Sequence, residues 1–275
     1  MGQYYTLIAG LREYAPAEAA PRGFDAPAIV GEVRDTLTEH DRRYLTLFYR
    51  YYDIQNIVGL LAGRVHFSAL GNLTREELEE ELKTPSRLPD YIYRIVAAHS
   101  NPDDPEYDDE ERVGSIEKAL YAAYYDECAR SRCRFIREWY EFDRNLRNVS
   151  AAYTARRLGR PVAPEIVGEG FVADTLRRSS AADFGLGGEL DYIDRVMAAV
   201  REDGNLIEKE RVIDMLRWEM SDELTVFDYF NINAVLAYLA KVNIIYRWAA
   251  LDPRTGEEMF QRLLAAMSVD TTAQI

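Results

Sequence analysis

The sequence predicts an all-α protein of about a dozen helices. Apolar residues recur at helical spacing, as in Ile29, Val30, Val33 and Leu37, rather than alternating as in strands. From about Glu110 to Leu158 there is no proline and a single glycine, Gly114. Capping residues stand where apolar periods begin, with the pair Thr74 and Glu77 forming a capping box.

Taken in order, residues 3–11 are expected to be a short extended segment, and Pro16, Pro21 and Gly23 mark a loop. Asp25 with Pro27 opens a first helix. Thr38 and Asp41 open a second, reaching Arg64. An acidic helix follows over 76–82, and Pro89 starts another with Tyr91, Ile92, Ile95 and Val96 inward. Residues 101–109 carry two prolines and an acidic run, and read as a loop. The stretch 110–158 reads as one very long helix or two in line, ended by Gly159, Pro161 and Pro164. Residues 179–188 read as an ordered internal loop. Helices are expected at 189–202, 206–220, 231–250 and 257–267, with Asn205 and Glu208 capping the second of these.

The composition narrows function. A chain of 275 residues makes one large domain or two to three small ones. With 48% hydrophobic and 29% charged residues it has enough apolar material for a core. The 47 acidic against 33 basic residues, a net charge of −14, argue against nucleic acid as a partner. No apolar run approaches the roughly 20 residues that span a bilayer, and no secretion signal opens the chain, so a cytoplasmic location without membrane insertion is expected.

A repeat is visible. Asp53–Arg64 can be laid over Asn145–Arg156, and more weakly over Asn231–Val242, with starts 92 and 86 residues apart. Each copy follows aromatics: Phe48, Tyr49, Tyr51 and Tyr52; Trp139, Tyr140 and Phe142; Phe227, Tyr229 and Phe230. Asn56, Leu60 and Arg64 fall on one helical stripe, and Asn148, Ala152 and Arg156 repeat it. Asn56, Arg64, Asn148 and Arg156 are therefore read as polar residues that pack helices together. The third copy has Ala234 and Val242 in place of Asn and Arg. The repeat divides the chain into three helical units, 1–100, 101–178 (with the long helix) and 179–275.

These stretches resemble the C-subunit family of archaeal and bacterial V/A-type ATPases, the d-subunit family of eukaryotic V-ATPases, and in particular a short bacterial branch found with V-type ATP synthases. The likeness to that branch is carried by Tyr4–Leu11, Glu138–Asn148, Asp183–Leu186, and Val235–Lys241 with Arg247 and Trp248. The resemblance implies three similar helical units around a pseudo-threefold axis, forming a socket between the central shaft and the proteolipid ring. It implies a rotor-stalk part that transmits torque and has no catalytic residues or cofactor of its own. Its partners would be the shaft subunits and the ring, and it would sit at the membrane through its complex. The chain is short for that family, and its third repeat is degenerate. The alternative is a helical scaffold unrelated to rotary ATPases.

The residues offer little chemistry of their own. None of His40, His66 and His99 has a Glu three residues before it, and no His-Glu-x-x-His occurs. Cys128 and Cys133 lack zinc-site pairing and are read as packing residues. In the acidic run, Pro105 separates Asp103 and Asp104 from Asp108, so they cannot share a helical face for a metal-bound diphosphate. The loop Asp183, Phe184, Gly185, Leu186 is either a tight turn with Phe184 and Leu186 packed inward or, as the resemblance favours, a protein-contact loop.

Overall fold

A computed structural model describes residues 3–16, 20–21, 23–99, 109–201 and 206–251. Among them are eleven α-helices, one short 3-10 turn and no strand. The helices are α1 (Tyr5–Gly10), α2 (Ala26–Thr36), α3 (Glu39–Leu61), α4 (Arg75–Lys83), α5 (Asp90–His99), α6 (Asp109–Ala129), α7 (Arg134–Arg157), α8 (Phe171–Arg178), α9 (Ile193–Arg201), α10 (Leu206–Glu223) and α11 (Ile232–Leu251). No helix among the described residues is long and apolar enough to cross a membrane. The expected helix at 257–267, the cap at Asn205 and most of the acidic loop lie outside the described residues.

Local chemistry explains most starts. The Asp25 carboxylate accepts from the Ala28 amide, with Pro27 in the first turn. Thr38 accepts from the Asp41 amide. Thr74 and Glu77 make the reciprocal capping box.

Three elements differ from the sequence reading. Residues 5–10 are helical rather than extended. Long-range bonds hold the segment: the Tyr4 amide donates to the Phe230 carbonyl (2.7 Å) and the Tyr4 hydroxyl to buried Asp41. The long stretch breaks at 130–133, where Ser131 Oγ accepts from the Cys133 amide. The two helices then run antiparallel rather than in line, since Glu117 pairs with Arg147 and Tyr125 with Asp143. Helix α8 had no apolar run long enough to announce it.

Two hydrophobic cores share helix α7. Its first half, through Phe135, Ile136, Trp139 and Tyr140, joins α2–α6 and α11. Its second half, through Phe142, Leu146, Val149 and Ala152, joins α8–α10 and the 184–193 segment. At 24 residues and about 1.5 Å per residue, α7 is a strut of roughly 36 Å. Helix α11, which falls in the third of the sequential units 1–100, 101–178 and 179–275, packs into the first core.

Buried carboxylates hold the loops of the first core. Asp53 accepts from the Asn72 and Leu73 amides and from the Asn72 side chain. Gly71 passes close by, and a Cβ there would lie 2.8 Å from Asp53 Oδ1 and 3.0 Å from Asn56 Nδ2. Gly71→Ala is expected to lower stability by about 1–3 kcal/mol, read as a fall in denaturant midpoint at constant m.

Glu81 accepts from the amides of Ser86, Arg87 and Leu88 and from the hydroxyls of Ser86 and Tyr93. Burial works against its charge, but these bonds outweigh it and hold the carboxyl well below the usual range. A depressed folded pKa stabilises the fold above the unfolded value of about 4.3, and that contribution fades as pH falls below it. Glu81→Gln should lower the melting temperature at pH 7 and shrink the gap to wild type as the pH drops from about 4.5 to 3.

Candidate functional site

The repeated asparagines do one job twice. In α3, Asn56 Nδ2 donates to the Ser68 carbonyl (3.0 Å) and its Oδ1 accepts from the Ser68 amide (2.7 Å). In α7, Asn148 Nδ2 donates to the Val167 carbonyl and its Oδ1 accepts from the Val167 amide, both at 2.9 Å. Each buried side chain thereby satisfies both backbone groups of one residue in the loop that follows its helix.

The helix ends also match, in another register. The Gly63 amide bonds to the Leu60 carbonyl and the Arg64 amide to the Gly59 carbonyl. The Gly159 amide bonds to Arg156 and the Arg160 amide to Ala155 in the same way. Gly63 and Gly159 have φ of +65° and +66°, the left-handed geometry of this stop. Helix α7 is thus one turn longer past its asparagine, and the partner of Arg64 at the stop is Arg160. This corrects the Arg64–Arg156 pairing. Arg64 is exposed beyond the end of α3. Arg156 donates to the Ser179 and Ala181 carbonyls and lies 3.6 Å over the Phe184 ring.

The third copy is not equivalent. Asp53 and Asn145 lie inside their helices, whereas Asn231 precedes α11 and accepts from the Asn233 and Ala234 amides. Its preceding aromatics, Phe227, Tyr229 and Phe230, are exposed instead of buried.

In the loop 183–186, Phe184 and Leu186 are buried in the second core, and Tyr153 meets Phe184 edge-on at 5.0 Å. Asp183 accepts from the Gly185 amide. The two large side chains of this loop therefore offer no contact surface, and the large exposed apolar side chains among the described residues lie elsewhere.

Sequence reasoning missed the charge network that joins the two cores. Arg217 in α10 donates Nε and Nη2 to Asp143 Oδ1 (3.0 Å each) and Nη1 to Asp214 (3.1 Å). Asp143 also accepts from the Tyr125 hydroxyl at 2.8 Å. Asp214 further accepts from Arg247 (2.6 Å) and the Trp248 indole (2.8 Å). Four helices, α6, α7, α10 and α11, meet here, and both carboxylates are buried. Only the i, i+3 spacing of Asp214 and Arg217 was visible in the sequence.

For chemistry, the geometry provides little. Among the described residues no three His, Cys, Asp or Glu side chains gather as a metal site. Burial pushes the thiols of Cys128 and Cys133 above their ordinary range, so neither is a ready thiolate at neutral pH. A shallow cleft of about 310 Å³ runs along α7, lined by Ser150, Thr154, Leu158, Arg160, Glu165 and Lys209, with no arranged nucleophile or base.

A family model described as a protein of unknown function, DUF2764, matches residues 1–271. The chain belongs to the DUF2764 family. No curated protein and no solved structure matches this DUF2764 chain. Its site must therefore be read from its own residues.

Proposed function

We propose that this DUF2764 chain is a non-catalytic rotor-stalk subunit of a V/A-type ATPase or ATP synthase, linking the central shaft to the proteolipid ring. The observation that carries the reading is the paired asparagine lock. The stretches that resemble the C-subunit family, around Asp53–Asn56 and Asn145–Asn148, sit in equivalent places in α3 and α7. Stiffness supports it as well. A part under torque must not yield internally, and α7 runs through both cores while a buried ion network pins it to its neighbours. The net charge of −14 suits basic surfaces on shaft or ring. With the lock present twice, the assembly would use a trimmed socket.

The different setting of the third stretch, whose Asn231 precedes α11 instead of lying within a helix, favours the second reading, a helical scaffold outside rotary ATPases. Pull-down of the tagged full chain from its native cells in mild detergent separates the two. Rotary shaft and proteolipid subunits are the expected co-purifying proteins. Their absence from the eluate, when present in the lysate, would discard the rotary reading and leave the scaffold.

A further inference from the structure

Surface loops normally turn polar side chains to water and tuck apolar ones in. The turn between α10 and α11 does the reverse. Its polar groups bond inward. Asp228 accepts from Asn231 (2.5 Å), Asn233 (3.2 Å) and Arg134, and Thr225 Oγ1 donates to the Ser221 carbonyl (2.7 Å). Arg134 also donates to the Leu224 carbonyl (2.6 Å), and the Tyr4 amide caps the Phe230 carbonyl. Its apolar side chains face out: Phe227 is 85% exposed, Tyr229 67%, Val226 58% and Phe230 39%. Tyr5, 53% exposed, lies against Phe230 with ring centroids 4.4 Å apart. These are five of the nine large exposed apolar residues among those described. Together they present on the order of 500 Å² of apolar surface, near the upper end of the largest patch on a typical monomer. A standard interface buries about 800 Å² per partner, so the turn supplies the centre of one but not its rim.

We propose that this braced aromatic turn inserts into an apolar cleft on another protein, and that Lys or Arg side chains rim that cleft. Phe227 and Tyr229 protrude from a turn, so their complement is concave. The sign of the rim follows from charge. The charged groups bonded to the turn or flanking it are Glu138, Asp222, Glu223 and Asp228 against Arg134 and Lys241, a local acidic excess. Glu223 is exposed and makes no ion pair among the described residues. A second copy would bring the same acids face to face across a two-fold axis, in two chains each at −14. An anionic lipid surface would repel the turn for the same reason. The backbone is already ordered, so binding loses little conformational entropy. This inference does not depend on the rotary assignment.

The test places the photo-reactive p-benzoylphenylalanine at Phe227, and separately at Phe171, an exposed residue at the start of α8, in the full chain in its native cells. One protein adduct is expected at 227 and not at 171, its cross-linked peptide holding apolar residues beside Lys or Arg. The purified partner should then bind the wild-type chain about tenfold more weakly at 500 than at 50 mM KCl. Phe227→Ser with Tyr229→Ser should lose at least about tenfold in affinity with unchanged melting temperature. If the double variant melts lower, Phe227→Ser alone carries the comparison. An adduct to lipid, an adduct to a second copy, no excess over position 171, or salt-independent binding would each overturn the proposal. A shaft or ring subunit at the cross-link serves both readings. Any other protein with such a cleft keeps this one and leaves the rotary role to the pull-down.

Discussion

Arg217→Met is expected to cost about 3–5 kcal/mol, a fall in melting temperature of roughly 10 °C. The reason is asymmetric. Asp143 and Asp214 are buried and depend on the guanidinium that lies between them. Removing Arg217 strips a cation from both while leaving their charges in place. Arg247 and Trp248 remain on Asp214, and Tyr125 on Asp143, so the carboxylates are weakened rather than abandoned. Arg217→Lys keeps the charge but cannot bridge two acids with a planar fork, so it should fall between wild type and Met. Adding Asp143→Asn to Arg217→Met should recover part of the loss, because one buried charge no longer lacks its partner. Chemical denaturation of the four chains checks the order. Equal stability of Arg217→Met and wild type would mean that the junction of the two cores does not depend on this network.

Asn148→Ala should be the next most damaging change, at about 2–4 kcal/mol. It removes two hydrogen bonds and leaves the amide and carbonyl of buried Val167 without them. Asn56→Ala should lose a similar amount through Ser68. Asn148→Asp is informative because it keeps the shape and the acceptor but turns the donor into an oxygen facing the Val167 carbonyl, so it should be no better than Ala. Since the side chain is buried and points at its own loop, melting temperature should fall before partner binding does. Binding lost at unchanged melting temperature would give Asn148 a role in contact instead. The far pair Asn56 and Asn148 should add in stability, because the two locks share no partner.

Much of the secondary structure was legible because its causes are local. Asp25, Thr38 and the Thr74–Glu77 box bond to amides three residues away, and such bonds are written in short stretches of sequence. The apolar period of α2, α3 and α11 likewise needs no knowledge of what it packs against. The all-helical class followed from these signals alone. So did the likeness of the α3 and α7 asparagines, although the extra turn in α7 displaced the arginines that were paired after them.

Elsewhere the deciding bonds cross long stretches of chain. Helix α1 is held by Asp41 and Phe230, 37 and 226 residues from Tyr4. The break before α7 needs no proline or glycine, because Asn233, 100 residues on, anchors Cys133 there. The Asp143–Arg217 pair spans 74 residues, and no local pattern announces it. The aromatics ahead of the repeated stretches within α3 and α7 look like Phe227, Tyr229 and Phe230 as strings, yet the former are buried or half-buried and the latter exposed. An aromatic side chain loses water only where a neighbouring helix arrives to cover it. Sequence determined that this chain would be helical, acidic and partly repeated. The tertiary structure alone decided which aromatics found cover and which were left exposed.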